Sequence, residues 1–114
     1  MRSIGLRLAA ATAALQGAID WMVPTFGSNV RAAHAAAVPY LNLWGIVAGG
    51  WQMGRAALIA TEQLAEARGD ADFLRSKLAT ARFYAENLLP QAEALAQSIT
   101  MGSDSVLALT AEQF

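Results

Sequence analysis

The stretch Phe73–Pro90, FLRSKLATARFYAENLLP, decides the fold. Continued to Ile99, it sets Leu74, Leu78, Ala81, Ala85, Leu88, Ala92, Leu95 and Ile99 at alternating steps of four and three. That spacing keeps one narrow apolar stripe on a long helix, the seam along which helices pack side by side. The seam predicts a helical bundle and carries no chemistry of its own.

Working outward, Asp70 or Asp72 caps this helix, which extends to about Met101 with Pro90 outside the seam and ends at Gly102. Upstream, Arg68 and Gly69 read as a helix stop, glycine supplying the left-handed conformation that other residues resist. A second helix runs from a cap at Ser28 or Asn29 to about Ala67, with Pro39 inside it. Proline there either kinks the helix or opens a new one after a short first piece. A first helix, from about Ser3 to Val23, carries the register Ile4, Leu8, Ala11, Leu15, Ile19, Met22 and ends near Pro24. The expected architecture is all-α: an up-down-up bundle of three long helices, two with proline kinks, plus a short C-terminal tail. In that tail Thr110 and Gln113 can start one capped turn. Val106, Leu107 and Leu109 are too apolar for a free end, so the tail should lie along the bundle.

The second helix is apolar on two sides. Leu41, Trp44, Ala48 and Trp51 make one face; Leu43, Val47, Gly50, Gly54 and Leu58 make the other. Such a helix is expected in the middle, covered from two directions. Glycine disfavours helix by about 1 kcal/mol relative to alanine, so the cluster Gly45, Gly49, Gly50, Gly54 points to close approach by a neighbour.

With 114 residues the chain is one domain. Apolar residues make up 55% and charged residues 15%, more apolar surface than so small an interior hides, so some of it should meet another domain or chain. A net charge of −1 excludes a basic nucleic-acid footprint. The absence of cysteine excludes disulfides and thiolate metal sites. Two segments imitate membrane signals. Arg2 and Arg7 before an apolar run resemble a secretory leader, but the helical register through Met22 is a bundle feature. The uncharged span between Arg31 and Arg55 is long enough for a bilayer, yet it contains His34, Pro39, Asn42 and Gln52, expensive groups in lipid.

The search for chemistry returns structural roles. His34 stands alone, without the Glu-x-x-His pairs of a di-metal bundle or any zinc spacing. Glu62, Glu66, Asp70 and Asp72 divide between a solvated helix end and helix caps. Arg82 and Glu86 form a surface pair, and the tripeptide Arg68-Gly69-Asp70 is a helix stop followed by a cap. No strand–loop–helix setting surrounds the glycines, as phosphate binding requires. Catalytic, cofactor-binding and metal residues: none is expected.

The segments YLNLWGIVAGGWQMGRAAL, DADFLRSKLATARFYAENLLPQAEAL and SDSVLALTAEQF, in this order, closely resemble the C-terminal helical domain of bacterial acyl-CoA dehydrogenases, in particular the methylmercaptopropionyl-CoA dehydrogenase-like group. The likeness extends from about Leu6 to Phe114. It implies that residues 1–114 are the end of a longer enzyme whose core binds FAD and an acyl-CoA thioester and uses a glutamate for α-proton removal. No residue here matches that core, so Glu62, Glu66, Glu86 and Glu93 inherit no such role. The resemblance implies an inactive, cytoplasmic accessory domain that holds no cofactor itself and packs on the upstream catalytic core; its apolar faces favour self-association, so a homodimer is expected. Trp21, Trp44, Trp51, Phe83 and Tyr84 are the contact residues expected. A free-standing interaction or ligand-binding bundle and a membrane-associated helical protein are the rival readings.

Overall fold

The computed structural model describes residues 2–114. Its elements are α1 (Arg2–Ser28), α2 (Val30–Ala35), α3 (Ala37–Ala65), α4 (Ala71–Asn87), α5 (Gln91–Met101), the short α6 (Ser103–Val106) and a closing 3₁₀ turn at Ala111–Gln113. Regular structure among the described residues is entirely helical.

Neighbouring side chains give the path. Ile4 lies beside Leu78 and Phe83, while Ala14 and Ala18 lie beside Ala96 and Thr100, so α1 runs parallel to the α4–α5 pair. Ile4 also lies beside Leu58, and Leu15 beside Trp44, so α3 runs the opposite way. This is the up-down-up bundle of three rods. Its core is built of Ile4, Ala11, Leu15 and Ala18 from α1, Leu43, Val47 and Ala57 from α3, and Ala81, Ala85, Leu89, Ala92 and Ile99 from α4–α5. Alanines at the crossings let the helices approach closely. Two α3 glycines extend this: an added methyl at Gly49 would collide with the Tyr84 hydroxyl, and one at Gly50 with Leu89 and Leu8.

The prolines act differently from one another. α1 continues through Pro24 to Ser28, beyond the stop the sequence suggested. Proline removes one N–H, but Thr25 and Ser28 hydroxyls donate to the carbonyls of Trp21 and Pro24 and help hold the turn. Asn29, rather than Ser28, caps α2 by accepting from the Ala32 N–H at 3.3 Å. Pro39 stands in the first turn of α3, after a break at Ala36, where no intrahelical donor is needed. Pro90 stands at the head of α5 after a turn at 88–90. At that turn, in which both Leu88 and Leu89 donate to the Tyr84 carbonyl, Leu89 takes the seam position and is buried while Leu88 is only partly so; the seam resumes in register at Ala92 and Ile99.

α3 is covered on one side only. Leu43, Val47, Gly50 and Ala57 are buried, whereas Leu41, Trp44, Ala48 and Trp51 are open and Leu58 is exposed with them. Three rods provide no fourth element to cover the second apolar face. The result is a slab of 65 × 28 × 17 Å with a radius of gyration of 18.4 Å, against about 13 Å for a compact chain of this length. At the end of the chain, α6 packs on α2 and α5, but Val106, Leu109 and Phe114 remain exposed. The expected turn at Thr110 is present, the Gln113 carboxamide accepting from the Thr110 N–H at 2.7 Å.

Candidate functional site

The outward face of α3 is the most unusual surface of the molecule. Val38, Leu41, Trp44, Trp51, Leu58 and Ile59 are all exposed, Leu41 by 72% and Trp51 by 53%. Arg55 is the one charged residue between His34 and Glu62. Its guanidinium lies 5.0 Å from the Trp51 ring centroid, a stacking that lays its aliphatic stem along the apolar face. Tyr40 meets Trp44 edge-on at 6.4 Å.

Between this face and α1 lie two adjoining hollows. One, of about 360 Å³, is floored by Leu8, Thr12, Leu15 and Val47 and flanked by Trp44 and Trp51. The next, of about 350 Å³, is lined by Ile4, Leu8, Trp51, Gly54, Arg55 and Leu58. Their walls are almost wholly carbon. The grooves on the other sides of the bundle are mixed: that between α1 and α4 contains Arg82, Glu86 and Asn87 beside Phe83, and that between α3 and α5 contains Asn42 and Gln91.

The five residues singled out from sequence therefore occupy three settings. Trp44 and Trp51 belong to the α3 face. Phe83, also exposed, projects beside α1 near the Arg82–Glu86 pair. Trp21 and Tyr84 are partly buried against the core, and the Tyr84 hydroxyl donates to the Ile46 carbonyl at 2.7 Å. Burial pushes the Tyr84 phenol up from its ordinary range. Glu86 is held below the usual carboxylate range by its hydrogen bond from Arg82 at 2.9 Å, which in turn raises Arg82. Of the groove floor, Leu8 and Leu15 read from sequence only as bundle residues, and Thr12 carries no signal there. Their second role depends on how far α3 stands from α1, which no periodicity encodes.

Among the described residues, no group of three or more His, Cys, Asp or Glu side chains could hold a metal ion, and no polar side chain is buried. His34 is exposed, with its ring against Phe26 at 6.3 Å. No helix among the described residues is long and apolar enough to cross a membrane. What the surface can do is exclude water from a partner.

Residues 1–110 match the family described as acetyl-CoA dehydrogenase C-terminal like. The chain is 42% identical over 104 residues to the 3-methylmercaptopropionyl-CoA dehydrogenase of Ruegeria pomeroyi, covering 91% of this chain and 18% of that enzyme. It thus spans about a fifth of the length of the relative it matches. No solved structure matches it.

Proposed function

This chain belongs to the acetyl-CoA dehydrogenase C-terminal-like family, and from that membership we propose that it is the non-catalytic accessory domain of a cytoplasmic, FAD-dependent enzyme that dehydrogenates an acyl-CoA thioester. The carrying observation is the similarity itself, which takes up 91% of this chain but only 18% of a dehydrogenase. In this reading residues 1–114 are the C-terminal domain of a longer polypeptide, and the catalytic core precedes them.

The domain works by packing. Its mixed groove between α1 and α4, with Phe83 beside the Arg82–Glu86 pair, suits the catalytic core, since interfaces between domains of one chain are comparatively polar. The carbon-walled α3 face suits a tighter, more apolar association. FAD belongs to the core in this proposal. In support, the Gly49 and Gly50 positions are filled by Tyr84 and Leu89, leaving no open backbone cradle there for a phosphate.

Removing the corresponding region from the R. pomeroyi enzyme and adding this chain back, fused, tests the reading. The truncated enzyme should lose assembly and retained flavin, and the fusion should recover both. This chain alone should show no flavin absorbance and no dehydrogenation. A truncated enzyme that assembles and turns over normally, or flavin bound by this chain alone, overturns the proposal.

A further inference from the structure

Resting on the packing role just proposed, we infer that the outward face of α3 is a homodimer seam, in which two copies of this chain pair antiparallel about a two-fold axis passing between Gly49 and Gly50. The sequence of that face is a palindrome in spacing. Leu41, Trp44, Ala48, Trp51, Arg55 and Leu58 follow one another at steps of three, four, three, four and three, which read the same in reverse. Heptad stripes in general read the same in reverse, so the spacing permits an isologous pairing, in which each contact occurs twice; the residue types are what favour it.

The residues are complementary as well as evenly spaced. Reversal sets Leu41 against Leu58 of the second copy, Trp44 against Arg55, and Ala48 against Trp51. Each tryptophan meets a small or flexible residue, and leucine meets leucine at the two ends. Trp51 of the second copy arrives over Ala48, where the hollow of about 360 Å³ between Trp44 and Trp51 opens. Trp44 of the second copy arrives at the hollow of about 350 Å³ beside Arg55. There it can stack on a guanidinium that already lies against Trp51.

Charge and area agree. Arg55 is the one charge on the seam, and the antiparallel register keeps the two copies of it about 16 Å apart along the axis at 1.5 Å per residue. That exceeds the screening length of about 8 Å; a parallel register would stack them. Val38, Leu41, Trp44, Trp51, Leu58 and Ile59, between 44% and 72% exposed, offer on the order of 600 Å² of carbon. With the Arg55 stem and helix backbone this reaches about the 800 Å² per partner of a standard stable interface.

Sedimentation equilibrium on the chain should find twice its 12.0 kDa mass. Ala48 is exposed, so Ala48→Arg should keep the helical circular-dichroism spectrum while raising the dissociation constant at least about a hundredfold. The native chain has no cysteine, which makes register directly readable. Leu41→Cys chains mixed with Leu58→Cys chains should form a disulfide, and neither should do so alone. A monomer at about 100 μM, well above the μM affinities of weak stable pairs, overturns the inference; so does a monomer that floats with lipid vesicles. A dimer indifferent to Ala48→Arg, or one that links Leu41→Cys to itself, overturns it too. A monomeric chain whose fusion still restores the truncated enzyme removes the seam and leaves the accessory role standing. A dimer whose fusion fails to restore it does the reverse.

Discussion

Gly49 shows how one missing methyl fixes two helices. Its side of α3 is open enough for the Tyr84 hydroxyl to reach over and donate to the Ile46 carbonyl at 2.7 Å. Gly49→Ala gains helix propensity of about 1 kcal/mol but drives a methyl into that hydroxyl, an overpacking that costs about 1–3 kcal/mol. We expect a net loss of about 1 kcal/mol in urea unfolding. Tyr84→Phe alone should lose about 1 kcal/mol with the hydrogen bond. In the Tyr84→Phe background the oxygen is gone and only the ring carbon Cζ, at 3.0 Å, still crowds the methyl, so the cost of Gly49→Ala should fall, and a double-mutant cycle with no coupling would refute this account. The raised Tyr84 phenol adds a pH dependence of determined sign. An acid whose folded pKa lies above its unfolded value stabilises the fold below about pH 10 and loses that contribution as pH rises. The alkaline decline should be shallower in Tyr84→Phe. The sequence exposed the glycine cluster and the need for close approach; it did not name Tyr84 as the visitor, because that depends on α3–α4 stagger.

At the scale of elements, helix ends were more legible than helix interruptions. Asp70 caps α4 as its position before an apolar-periodic run suggests, its carboxylate accepting from the Asp72 and Phe73 N–H groups at 3.0 and 3.3 Å. Asp70→Ala should therefore cost about 1 kcal/mol; Asp72, whose side chain is almost fully exposed, should matter by a few tenths, roughly, when replaced. The end of α3 was legible only in part. Gly69 is left-handed as expected at φ 79°, but so is Ala67 at φ 54°. The Arg68 N–H donates to the Gln63 carbonyl and the Ala67 N–H to that of Leu64, a Schellman closure with alanine where glycine is usual. A left-handed L-residue costs about 1–2 kcal/mol, partly offset by the greater unfolded entropy of glycine. Ala67→Gly should thus stabilise the chain by roughly 0.5–1 kcal/mol, and a lower denaturation midpoint would contradict the strain. Pro90 was placed outside the seam correctly. The local exchange of Leu88 for Leu89 at the seam was hidden, since an unbroken heptad count runs straight through it.

At the scale of the molecule, the core and the open face must be considered together. Leu43, Leu89 and Ile99 are the largest side chains fully buried; alanines fill much of the rest, and each alanine contributes little burial. A slab 17 Å thick cannot enclose more, and the apolar composition that demanded a partner from sequence is the counterpart of this thin interior. The sequence names Trp44 and Trp51 as contact residues, but its two apolar sides on α3 also read as a helix covered from both directions; that three rods leave the tryptophan side open depends on the packing. The geometry predicts a stability that depends on concentration. If the Trp44–Trp51 face is covered by a second copy, folding and association are linked by mass action, and each tenfold rise in chain concentration above the dissociation constant adds about 0.7 kcal/mol per chain. For a domain of this length that corresponds to about 3–5 °C in Tm. The native chain should show this slope from micromolar to millimolar concentration, and Ala48→Arg, with its seam blocked, should melt at one temperature throughout. Equal slopes would place the association elsewhere on the molecule, whereas a flat native curve would mean that this thin alanine core suffices by itself.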